Sequence, residues 1–115
     1  MREPIRDTGR LEHILEAIRN VESFTEGLTK EALEKDVLHL HAVTYNIQVI
    51  GEAVYKLSTE FKASHPSVQW SLIEKMRHIL VHDYYRIDPD ILWDIIQKDL
   101  PVLKEQIETM IKAKN

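Results

Sequence analysis

The sequence predicts an all-α fold, specifically an up-down four-helix bundle in which short connections join antiparallel neighbours. Apolar residues recur at steps of three and four rather than alternating, which is the helical period. Only three glycines and four prolines interrupt the 115 residues. β-branched alternation is nearly absent. A chain of this length forms one domain, residues 1–115, and hides roughly two-thirds of its unfolded surface.

The first helix is expected to start near Thr8, with Leu11, Ile14, Leu15, Ile18 and Val21 on its apolar stripe. A longer second helix carries Val37, Leu40, Val43, Ile47, Ile50, Val54 and Leu57 and ends near Ser58. Gly51 sits in its interior, where glycine costs ~1 kcal/mol against alanine. Close approach of another helix justifies such a glycine, and would bring the neighbouring Glu52 near whatever packs there. Pro66 breaks the pattern, after which Ser71 is placed to cap a third helix bearing Leu72, Ile73, Met76 and Leu80. Asp88 before Pro89 marks a fourth start, an N-cap followed by proline at the first helical position. Ile91, Leu92, Ile95 and Ile96 line that helix. Pro101 should kink or split it, because proline removes a hydrogen bond and crowds the preceding turn. Leu103, Ile107, Met110 and Ile111 continue the stripe.

Hydrophobic residues make up 43% and charged residues 30%, the balance of an ordinary globular domain. With no cysteine, disulfides and thiolate metal sites are excluded. No apolar run approaches the ~20 residues of a membrane span, and "MREPIRDTGR" lacks a signal-peptide core. A cytoplasmic protein without membrane partners is the expectation. The formal net charge of −4 argues against nonspecific coating of nucleic acid, while leaving room for a small, locally basic site.

Chemistry concentrates in "MRHILVHDYY", Met76 to Tyr85. One reading is a helix end whose polar residues frame Ile79 and Leu80. A second is a metal site, since His78 and His82 are about 40° apart on a helix. It lacks a third ligand: His39 and His41 would lie roughly 200° apart, and no HExxH occurs. No metal is expected. A third reading is catalytic. Arg77 and His82 would be roughly 140° apart on a continuous helix, so they converge only if the helix unwinds near Val81 or a two-fold axis brings up a second copy. Arginine and histidine suit RNA, whose 2′-hydroxyl is a built-in nucleophile. Histidine can move its proton and arginine can hold the phosphate charge. No metal or cofactor is needed, and DNA should resist. If the helix ran on, Tyr84 would return to the face of Arg77, with Tyr85 roughly 100° away.

Arg77-x4-His82-x-Tyr84 resembles the R-x4-6-H signature of HEPN domains, in the extended form of HepT-type toxins. The likeness extends in order through "RLEHILEAI", "IQVIGEAVYKLS", "HPSVQW", "MRHILVHDYY" and the "LP" before the last helical piece. The chain departs from the pattern at His78, often asparagine or another polar residue, and at Tyr45-Asn46, where arginine and asparagine are common. The resemblance implies a helical-bundle homodimer with the motif at its cleft, acting as a metal-independent ribonuclease toxin. It also implies a neighbouring minimal nucleotidyltransferase (MNT) antitoxin that transfers AMP to Tyr84. Arg77 and His82 are the expected catalytic residues. His78 and Glu52 are supporting candidates, Glu52 by pairing with Arg77. The partners are then RNA, a second copy and the antitoxin. A nucleotide-binding or protein-interaction module that partners a nucleotidyltransferase is the alternative.

Overall fold

A computed structural model describes the backbone of residues 6–79, 81–83 and 86–114, and their side chains except at 77, 79, 81–83 and 114. The fold is all-α. Helix α1 (Asp7–Thr25) is followed by the short α2 (Lys30–Lys35) and the long α3 (Val37–Lys56). Helices α4 (Thr59–Ser64) and α5 (Trp70–Ile79) come next. Strands β1 (Val81–Asp83) and β2 (Arg86–Ile87) form a two-stranded antiparallel ribbon. Helix α6 (Pro89–Asp94) then runs through a π-helical turn (Ile95–Asp99) into α7 (Leu100–Lys114).

Four long bodies make the bundle: α1 packs on α3, α3 on α5 and α7 on α1. Leu11, Ile14, Ile18, Ile47, Ile50 and Ile107 are fully enclosed between them, the positions at which the helical period put the apolar stripes. The expected stripes err at two residues. Val37 is 61% and Leu72 42% exposed. Val37 lies in the first turn of its helix, before α3 reaches the core. Leu72 faces a groove between α5 and α7, across from the exposed Val102.

Polar contacts fix the bundle's ends and register. Asp7 accepts from the Ser58 backbone N–H at 2.9 Å and from its hydroxyl at 2.6 Å, joining the start of α1 to the corner between α3 and α4. The second helix therefore stops at Lys56 and Ser58 caps α4 instead, accepting from Phe61 N–H at 3.1 Å. At the middle of the α1–α3 contact, buried Asn46 accepts from Asn20 Nδ2 at 3.1 Å and donates to Ala42 O at 2.8 Å. Gly51 is also buried on α3. Gly27, just past α1, has φ 76°, a left-handed turn that a side chain would strain. An ion pair between Lys30 and Asp90 ties α2 to α6.

Ser71 does not cap the third long helix. The helix begins at Trp70, whose indole N–H donates to Lys62 O at 3.2 Å and His65 O at 3.0 Å, and Ser71 falls within the first turn. Asp88 is the N-cap of α6, accepting from Asp90 and Ile91 N–H, with Pro89 at the first helical position. Pro101 splits the last helix in an unusual way. The preceding turn widens to π geometry over Ile95–Asp99 and the helix continues past the proline. One residue is thereby absorbed at the place where proline cannot complete the ladder.

Candidate active site

The segment of interest begins on a helix and ends on a strand. Helix α5 closes at Ile79, and Val81–Asp83 are extended. Arg77 is therefore in the last turn of α5, and His82 is in β1. Their 140° helical separation does not apply, because no helix spans both. The helix ends before Val81, which is one of the two arrangements the spacing allowed. The same break removes the helical argument for placing Tyr84 on Arg77's face and Tyr85 off it. Tyr84 and Tyr85 lie outside the described residues, as do the side chains of Arg77 and His82.

The ribbon adds a feature invisible in the apolar period. Val81 pairs with Ile87 and Asp83 with Arg86, so two steps on β1 oppose one on β2. His82 is the extra residue, at a β-bulge. Bulges leave the inserted residue out of the ladder, bend the strand locally and are frequent beside active sites. The "VHD" and "RI" runs were too short to read as strands. Ile87, partly buried against the core, and the N-cap at Asp88 close behind it anchor the second strand.

Two supporting candidates sit on helices. His78 is exposed on α5. Glu52 is exposed on α3, the helix against which α5 packs, and lines a groove with Arg10, Tyr45 and Lys56. Its expected pairing with Arg77 falls on a side chain outside the described residues. His39 and His41 lie two apart on α3, and His39 Nδ1 is 2.8 Å from Asp36 Oδ2 at the helix's N-cap. That carboxylate accepts from His39 N–H at 3.1 Å, and the bond holds it below its ordinary range. His39 is thus part of a capping arrangement. Among the described residues, no three histidine or acidic side chains are grouped as a metal site would need.

The fold is thus a small helical bundle with Arg77 in the last turn of one helix and His82 at the bulge of the ribbon that follows. The chain belongs to the HepT-like ribonuclease family, whose model matches residues 14–110. It is 35% identical over 102 residues to a probable ribonuclease HepT of Thermococcus cleftensis, a match covering 89% of this chain and 93% of that protein. It is 33% identical over 102 residues to a candidate RNase of Caldanaerobacter subterraneus subsp. tengcongensis, covering 89% and 91%. A Methanocaldococcus jannaschii protein, named for both γ-glutamylcyclotransferase and candidate RNase functions, is 35% identical over 109 residues. That match takes in 91% of this chain but only 49% of the longer protein. No solved structure matches significantly. Among the described residues, no helix is long and apolar enough to cross a membrane.

Proposed function

We propose that this chain is a metal-independent endoribonuclease, the cytoplasmic toxin of a HEPN/MNT toxin–antitoxin pair. The observation that carries the reading is the helix break between Arg77 and His82, inside the matched segment 14–110. It frees a guanidinium-bearing helix end and a bulged histidine from a common helical phase, so that both can address one phosphodiester.

The chemistry follows from RNA itself. Neutral His82 takes the proton of the 2′-hydroxyl as that oxygen attacks the adjacent phosphorus. The bond to the 5′-oxygen breaks, and that oxygen takes a proton from an imidazolium, which the His82 of a second copy supplies across a two-fold cleft. Arg77 holds the charge that builds on the non-bridging oxygens. The products are a 2′,3′-cyclic phosphate and a 5′-hydroxyl. DNA, without the nucleophile, is not cut.

Control by the antitoxin acts on Tyr84. The nucleotidyltransferase joins the phenolic oxygen to the α-phosphorus of ATP, and pyrophosphate leaves. The attached AMP then occupies the cleft as a tethered anion with a high effective concentration.

The test offers purified protein an RNA and the DNA of the same sequence, with and without EDTA, and analyses the ends produced. Cleavage of RNA alone, unaffected by EDTA and leaving cyclic phosphate, is expected. Loss of cleavage in EDTA, or products with a 3′-hydroxyl, would overturn the mechanism.

A further inference from the structure

The longest-reaching observation outside the motif is a groove between α1 and α3. Residues Tyr45, Gln48, Val49, Glu52 and Lys56 of α3 recur at three- and four-residue steps, so they form one stripe. Arg10 and His13, three apart on α1, face it. The groove encloses about 480 Å³ and runs about 16 Å along α3 from Tyr45 to Lys56. Its floor is apolar, made by half-buried Val49 and buried Ala53.

Apart from Glu52, its rim is uncommitted. Among the described residues, the side chains of Arg10, His13, Tyr45, Gln48 and Lys56 make no hydrogen bond or ion pair. Tyr45 is 66% exposed, although the helix turn beneath it is pinned by buried Asn46. An apolar floor, a standing aromatic ring, two uncommitted cations and a free amide are the parts of a site that stacks a base and holds a phosphate. Within the groove Glu52 offsets one of the two cations, leaving Arg10 plus Lys56 minus Glu52 at +1, while Glu16 of α1 lines the adjoining hollow on the Tyr45 side. That charge fits a short contact of a few nucleotides and is too small for an extended backbone track. Helix α3 carries this stripe and also receives α5, whose far end leads into the Arg77–His82 segment.

We infer that the α1–α3 groove holds a segment of single-stranded RNA, with a base stacked on Tyr45 and a neighbouring phosphate within reach of Arg10 and Lys56. The inference rests on the ribonuclease reading for its ligand class, but the groove can be assayed without the reaction. A short, fluorescently labelled 2′-O-methyl oligoribonucleotide lacks the nucleophile and remains intact, and its binding is followed by anisotropy. Tyr45→Ala should weaken binding roughly fivefold to a hundredfold, the range for losing one stacked base, and Tyr45→Phe should restore most of it. Arg10→Ala with Lys56→Ala should flatten the dependence of log K on log salt by about 0.7, for one single-strand phosphate. Binding by both variants equal to that of the unaltered protein overturns the inference. So does competition by free AMP as strong as by the oligonucleotide, which would make the groove a mononucleotide site. If these binding effects appear but RNA is never cleaved, the ribonuclease reading fails and the groove stands.

Discussion

Arg77 occupies the last turn of α5, and His82 occupies the bulge of β1, across a helix end at Ile79. Two residues five positions apart, which a continuous helix would have splayed, are divided between two elements. The bulge depends on the mismatch between Val81–Ile87 and Asp83–Arg86 pairing. Deleting His82 would let the ribbon zip in regular register and would remove the imidazole with the bulge, so RNA cleavage should be abolished.

The Asn20–Asn46 bond is the polar link at the centre of the α1–α3 contact. Asn46→Ala leaves the Asn20 amide without its acceptor and should cost about 1–3 kcal/mol. For a domain of this size each kcal/mol is worth roughly 4 °C or more in Tm. Thermal unfolding followed by circular dichroism checks this, and an unchanged Tm would show the pair to be dispensable.

Asp99, in the π turn, has its carboxyl pushed above the ordinary 3.8 by burial and then by Asp94, with Lys98 opposing. Its raised folded pKa means that its contribution is fully present below the unfolded value and is lost as pH rises through the folded one. Asp99→Asn should therefore be more stable than the unaltered chain at neutral pH, and the gap should close below about pH 4. Asp36 has the opposite sign. Its carboxyl is depressed, first by the His39 N–H, so its support for α3 is present above the ordinary value and fades as pH falls through the lowered one. Denaturant titrations of Asp99→Asn and Asp36→Asn across pH separate the effects, and parallel curves would contradict them.

Much of this was legible in the sequence. The stripes of α1 and α3, the Asp88–Pro89 start and the interruption at Pro101 follow from local sterics and the helical period. Other features depend on contacts that have no sequence signal. Ser58 works as a cap because Asp7, 51 residues away, reaches it. Trp70 begins α5 because its indole finds two carbonyls of the preceding corner. The β1–β2 ribbon was missed altogether, since strands of three and two residues carry no period to detect. The Tyr45 stripe was hidden for another reason: a polar face with one aromatic looks like ordinary solvated helix until α1 is placed beside it.

The proposed two-fold assembly makes a prediction of its own. Native mass spectrometry at micromolar concentration should give a mass of two chains. A monomer would leave the cleft with a single imidazole and contradict the proton relay.

The proposed control through Tyr84 is checked by co-expression with the proposed nucleotidyltransferase partner and intact-mass and peptide analysis. One or more AMP units on Tyr84, none on Tyr84→Phe and none on Tyr85 are expected. The Tyr84→Phe protein should stay toxic in the presence of an active antitoxin. A fully neutralised complex with unmodified Tyr84 would refute this switch.

The most direct measurement is RNA cleavage by the unaltered protein, His82→Ala and Arg77→Ala, each shown by circular dichroism to be folded. Acid–base groups of this kind contribute roughly a hundredfold to ten-thousandfold in rate, and a phosphate-holding donor about a hundredfold or more. Both variants are expected to lose cleavage by at least those factors, with growth inhibition lost in parallel. Full activity in folded His82→Ala would contradict the account at its centre.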